Sequence, residues 1–157
     1  MIRPILQAPD SRLHIVANMM PFPEQAKEVV QDLTDTFNDT SGCIGLAATQ
    51  LGLPWRAIIV DVTQARTETY VMVNPVIVKM SEDLQEVNDG CMSVAYGKKR
   101  AKTKRPKRIT VVWTDPVTEQ PKRQKFSGLL AACIHHEIDH LDGVLFVDRI
   151  LASRGVK

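Results

Sequence analysis

The sequence predicts an α+β fold: antiparallel β-sheets around a central C-terminal helix with metal-binding side chains, and an amphipathic helix near the N-terminus. Three observations predict it. Apolar residues recur at helical spacing over 24–38, β-branched apolar runs fill the middle of the chain between turn signals, and the stretch from Ser127 to Gly143 reads as a buried helix carrying H-E-x-x-H. A chain of 157 residues is long enough to bury its own core, so a single domain over residues 1–157 is expected.

An extended N-terminal segment leads to Pro21-Phe22-Pro23. From Glu24 to Asn38, Ala26, Val29, Val30, Leu33 and Phe37 line one face of a helix. Its exit through Asn38-Asp39-Thr40-Ser41-Gly42 runs into residues 43–50, a stretch so poor in charge that it is expected to line something buried. Strands follow at Ala57–Val62 and Tyr70–Val78, the second broken by Asn74-Pro75, which predicts a bulge or an edge position. Another strand covers Ile109–Trp113, and Thr114-Asp115-Pro116 turns it towards a polar partner at Lys122–Phe126. Ser127 is placed to cap the last helix, on which Leu130, Cys133, Ile134, Ile138 and Leu141 share the long face with His136 and His140 before Gly143 ends it. Val144–Ile150 is a final apolar segment.

Net charge is +2, but unevenly spread. Residues 98–108, KKRAKTKRPKR, hold eight basic residues and no acid, which leaves the remainder at −6. With no interleaved aromatic and no nucleic-acid motif, this reads as a solvated basic loop, and sequence-specific nucleic-acid binding is not expected. Cys43, Cys91 and Cys133 are odd in number and widely spaced, a poor disulfide framework that points to a reducing compartment. The N-terminus lacks the apolar run of a signal sequence and no stretch has the length of a membrane span, so a cytoplasmic protein without a membrane partner is expected.

The chemistry begins at His136-Glu137-Ile138-Asp139-His140. Histidines four apart on a helix project from one face, while Glu137 lies about 100° round, able to reach a metal-activated water without being a ligand. A hydrolytic site needs a third protein ligand. Beyond His140 there is no histidine, and His135 points away from His136, so carboxylates and the three thiols remain. Cys91, in Asp89-Gly90-Cys91-Met92-Ser93, and Cys133, three before His136, both compete, although three ligands from one helix would crowd along a line; in isolation each cysteine reads as a small buried hydrophobe.

Three separated segments, Gly45 to Gln50 (GLAATQ), Asp89 to Ser93 (DGCMS) and His136 to Gly143 (HEIDHLDG), resemble in order and spacing the three motifs of peptide deformylases, and the resemblance spans nearly the whole chain. It implies a hydrolase that removes the formyl group from the N-terminal formylmethionine of nascent polypeptides. The implied cofactor is one divalent ion held by Cys91, His136 and His140, Fe(II) in vivo with zinc or nickel as replacements. The implied roles make Glu137 the general base and acid, and the Gln50 amide with the Met92 backbone N–H the oxyanion donors. Cys43, Ile44, Gly45, Leu129, Ala132 and Cys133, with His136, border the substrate, the apolar ones walling a methionine slot. Asp89, Arg105 and Asp139 stand behind the site as orienting partners. Partners would be N-formylmethionyl peptides and, through 98–108, ribosomal RNA; a monomer is expected.

Departures from the family pattern are concentrated near the site. Cys43 replaces a usual glycine and is expected to intrude near the cleft; Asp89 replaces a usual glutamate, with Arg105 as its expected partner; Val94-Ala95-Tyr96 lacks a common proline; His135 replaces a common glutamine. The chain also ends sooner after Asp148-Arg149-Ile150 than many bacterial members, whose following helix docks on ribosomes. Two other readings compete. One is a minimal H-E-x-x-H peptidase, against which Cys91 counts. The other is an RNA-binding module closed around zinc by a fourth ligand, Cys43 or Cys133, for which Glu137 and Gln50 have no use.

Overall fold

The computed structural model describes residues 1–22 and 24–153; Pro23 of the expected Pro-Phe-Pro entry lies outside them. Helix α1 is Glu24–Asp39, and strands β1 Gly45–Ala47, β2 Ala57–Val60, β3 Tyr70–Met80, β4 Leu84–Gly90, β5 Arg100–Pro106, β6 Arg108–Thr114 and β7 Pro121–Ser127 follow. Helices α2 Gly128–Leu141 and α3 Phe146–Ser153 close the fold. Five strands form one antiparallel sheet in the order β1-β2-β3-β6-β7, and β4 pairs only with β5.

The sheet is covered on both faces, which explains why β2 reads as an unbroken apolar run although every pairing is antiparallel. Ala57 and Ile59 pack with Ala26, Val29, Leu33 and Phe37 of α1. Ile58 and Val60 turn the other way and pack with Ala131, Ile134, Ile138 and Leu141 of α2. Helix α2 is therefore buried almost all round from Ala131 to Leu141, which sets its three charged or titratable motif side chains in a low-dielectric interior.

Several expectations are refined. The Asn74-Pro75 break is a bulge in a central strand, not an edge: Asn74 has φ 53°, and its side chain imitates a strand neighbour, accepting from the Met20 N–H at 2.7 Å and donating to the Met20 carbonyl at 3.1 Å. Ser127 occupies the cap position of α2 but makes no side-chain capping bond. The last apolar segment is largely helix α3. The basic segment is not a solvated loop. Most of it is β5, in which Lys102 and Lys104 face solvent while Thr103 and Arg105 turn inward, and Arg105 is only 1% exposed. Burying a guanidinium requires paired acceptors, and β4, which the sequence reading left unassigned, supplies one of them in Asp89.

Candidate metal centre and active site

The three motifs converge under the free edge of β1. Helix α2 presents His136 and His140 one turn apart; the turn after β4 brings Cys91 against them. The Cys91 Sγ lies 3.2 Å from His140 Nε2, which lies 3.2 Å from His136 Nε2, and all three ligand atoms fall within 4.8 Å of one another. Tetrahedral ligands at ordinary zinc distances stand about 3.3–3.6 Å apart, so the spacing fits a shared cation. The His136 tautomer fits it too, while His140 Nδ1 has no hydrogen-bond partner among the described residues. The Nδ1–H of His136 donates to Asp89 Oδ1 at 2.8 Å, which leaves the Nε2 lone pair directed at the cluster. Burial alone would lower the His136 pKa, yet Glu137, Asp89 and Cys91 lift it to about 10: this anionic surround holds a proton where it could hold a cation.

Behind His136 stands a buried polar chain. Arg105 donates twice to Asp89 Oδ2, at 2.9 and 2.7 Å, and once each to Asp139 Oδ2 at 2.9 Å and His135 Nδ1 at 2.8 Å. Asp139 also receives Arg149 of α3, whose Nη2 donates to Oδ1 at 2.7 Å. Burial would raise the Asp89 carboxyl, but the His136 bond and Arg105 hold it well below the ordinary carboxylate range. The same burial drives the His135 pKa down to about 4, so His135 is neutral and accepts from Arg105.

Glu137 is buried, with Oε2 4.0 Å from His136 Nε2 and Oε1 lacking any hydrogen-bond partner among the described residues. Burial raises its pKa to about 7, against the pull of His136. The carboxylate lies against the Cα of Gly45, where a Cβ would collide with it, so glycine is required by close approach. Gln50 is locked at both ends of its amide: Oε1 accepts from Ala47 N–H at 2.9 Å, while Nε2 donates to Ser93 Oγ at 3.0 Å and, at a longer 3.4 Å, to Cys91 Sγ. The N–H of Met92 makes no hydrogen bond among the described residues.

These groups border one cavity of about 290 Å³, whose lining includes Cys43, Ile44, Gly45, Leu129, Ala132 and Cys133. Ile44 and Leu129 are its exposed apolar lips, at 40% and 55%. Gly45 lies on the outer side of the end strand: the Ile44 carbonyl accepts from the N–H of Asp61, the residue after β2, which turns the Gly45 N–H and carbonyl away from the sheet. Cys43 borders the cavity but is 3% exposed, with its thiol donating to the Gly45 carbonyl at 3.1 Å and its pKa pushed by burial to about 12.

Sequence comparison decides the family, since the polypeptide deformylase model matches residues 2–155. The chain belongs to the polypeptide deformylase family. Deformylases remove the formyl group from an N-terminal methionine, and this chain is a metal-dependent hydrolase of that kind. A peptide deformylase of Cellvibrio japonicus is 38% identical over 148 residues, covering 94% of this chain and 85% of the relative. Among solved deformylases, that of Legionella pneumophila superposes with a TM-score of 0.86 at 36% identity, covering 98% of this chain and 92% of that one. A Met-Ala-Ser-bound deformylase of Acinetobacter baumannii gives 0.85 at 25% identity over 95% and 98%.

Of the residues singled out from sequence, all but Asp139 and Arg105 border the deformylase cavity or its ligand cluster; those two lie one layer behind, joined through Asp89. Cys133 does not join the ligand cluster, and its thiol, raised in pKa by burial, faces the Ile44 carbonyl. Sequence reasoning missed Val87, Asn88 and Arg100 around the cavity, and Ser93, Gln7 and Arg149 outside its lining. Ser93 was legible as part of DGCMS. The others carry no local signal, because only the fold brings them to the site.

Proposed function

We propose that Cys91, His136 and His140 hold one divalent ion, Fe(II) in the cell with zinc or nickel as replacements, and that the cavity deformylates an N-formylmethionyl peptide extended along β1. The observation that carries this reading is a buried carboxylate oxygen, Glu137 Oε1, left without a partner beside three converging ligand atoms. The donor set suits zinc and iron alike; Fe(II) rests on the family resemblance. A bound divalent cation supplies the Lewis acidity that activates water and polarises a carbonyl near neutral pH.

The residues supply the rest. Glu137 accepts the proton of the attacking water at Oε1 and returns it to the leaving amine. The Met92 N–H and the Gln50 amide donate to the formyl oxygen as charge develops there; the long Gln50 contact to sulfur is the one that the oxyanion takes over. Ile44, Leu129, Ala132 and Cys133 wall the methionine side chain, whose burial covers the two exposed lips. The outward Gly45 edge pairs with the substrate backbone as an added strand, its carbonyl sharing or exchanging the Cys43 thiol for a substrate N–H. The Met-Ala-Ser-bound deformylase of Acinetobacter supports a peptide as the ligand.

The same reading makes the chain one catalytic domain over residues 1–157, monomeric and cytoplasmic; no helix among the described residues is long and apolar enough to cross a membrane. The exposed cations Lys98, Lys99, Arg100, Lys102, Lys104, Lys107 and Arg108 form an electrostatic contact to ribosomal RNA. Unchanged cosedimentation with ribosomes after neutralising Lys102 and Lys104 would sink that contact. The central test is formate release from a formyl-Met tripeptide by anaerobically purified, Fe(II)-loaded protein, with Glu137→Ala as control. Release that persists in the variant removes the assigned base, and no release by folded, loaded wild type removes the reading.

A further inference from the structure

The turn at residues 91–97 carries both a ligand atom, Cys91 Sγ, and the free N–H of Met92. Its backbone is under strain. Ala95, Tyr96 and Gly97 have φ of 50°, 54° and 82°, three successive left-handed residues of which only the last is glycine. A residue with a Cβ avoids that region, and stays there only where the surroundings over-determine it. The Tyr96 side chain is largely exposed, so packing does not hold it.

Besides the turn's own backbone bonds, from Val94 N–H to the Cys91 carbonyl, Gly97 N–H to the Val94 carbonyl and Lys98 N–H to the Ala95 carbonyl, it is held by one amide from the N-terminal segment. Gln7 Nε2 donates to the Met92 carbonyl at 2.7 Å, and Gln7 Oε1 accepts from the Tyr96 N–H at 3.0 Å. Backbone bonds on the flanking residues point the same way: Ala8 N–H donates to the Ser93 carbonyl at 2.7 Å, and Leu6 N–H to the Gln50 carbonyl at 2.8 Å. Residues 6–8 thus lie along both motif loops. The Met92 N–H shares its peptide plane with the Cys91 carbonyl, which accepts from the Val94 N–H at 3.0 Å within the turn; pinning the Met92 and Ser93 carbonyls sets the two planes that follow, and with them the frame from which that N–H points.

We infer that Gln7 is a positioning residue of the active site: its side-chain amide bridges the ligand-bearing turn and aims the Met92 N–H at the reacting carbonyl. The inference rests on the oxyanion role proposed for Met92. Gln7 touches no substrate, and it acts on the transition state through the backbone it holds. Its loss therefore lowers kcat and leaves KM nearly unchanged.

Two variants and two readouts test it. Gln7→Ala removes both bonds; Gln7→Glu keeps an acceptor for the Tyr96 N–H but has no donor for the Met92 carbonyl. Amide hydrogen exchange reads the turn directly and requires no activity. Expected for Gln7→Ala is faster exchange at Tyr96 and a kcat lower by about tenfold or more, towards the ~10²-fold cost of misplacing a reacting group by about 1 Å, with KM within about twofold. Gln7→Glu is expected to keep Tyr96 protected and still lose kcat. Wild-type kcat in both variants overturns the inference. So does a fall in kcat matched by a rise in KM and a lowered melting temperature, which marks a structural role alone. Should wild type release no formate, the deformylase reading fails, while exchange at Tyr96 in Gln7→Ala still decides whether the bridge holds the turn.

Discussion

Two regions build the candidate metal centre, and they are held in different ways. Helix α2 supplies His136, His140 and Glu137 from an element packed on nearly every side, where His136 is oriented by a buried chain of charges. The turn at 91–97 supplies Cys91 and the Met92 N–H from a left-handed backbone fixed by a few polar bonds. The contrast teaches that the helix tolerates little loss of packing or charge, whereas the turn depends on single hydrogen bonds.

The largest effect is expected at the helix. Glu137→Gln removes the proposed proton carrier while keeping shape, and kcat/KM should fall by about 10²–10⁴ with metal content unchanged, measured by formate release and metal analysis. Next comes Arg105→Met. It leaves Asp89 and Asp139 buried without their shared cation, at a cost of about 3–5 kcal/mol in denaturant unfolding. A variant as stable as wild type would show that the charge chain does not hold the helix. Asp89→Asn is milder, since it keeps a polar contact to His136 but not the charge that fixes its tautomer; metal affinity should drop about 10–100-fold in chelator competition.

Glycine sharpens the contrast with opposite signs. Tyr96→Gly relieves a left-handed residue and should stabilise by up to about 1 kcal/mol, whereas Ala131→Gly in α2 should destabilise by about 1 kcal/mol or more, both read as thermal midpoints. Destabilisation by both would mean that the turn is not strained. The smallest effect concerns pH. The Asp89 and Asp139 carboxyls are held below their ordinary range, so their contribution is present above about pH 4 and is lost as pH falls through the folded-state values. The midpoint of wild type should therefore fall on acidification, and that of Arg105→Met should fall less.

The same two regions differ in how legible they were. The helix motif could be read because its ligands are four residues apart, and helical geometry alone puts them on one face. Helix α1 and strands β2, β3, β6 and β7 were marked by apolar periodicity or by a turn followed by a partner. Strands β4 and β5 were not, since their inward residues include Asp89, Thr103 and Arg105, whose burial is made possible by mutual hydrogen bonds that no hydropathy pattern encodes. The family motifs named Cys91, but nothing local could have named Gln7, whose two partners lie 85 and 89 residues along the chain.

The open side of β1 has a consequence for timing. A three-residue edge strand, with Gly45 bordering the cavity, can pair with one extended strand at a time. On the proposed reading, a protein whose first residues are already packed cannot offer them to Gly45. Deformylation then belongs to the interval between the emergence of an N-terminus and its burial, and the speed at which each substrate folds sets how long the enzyme has to act.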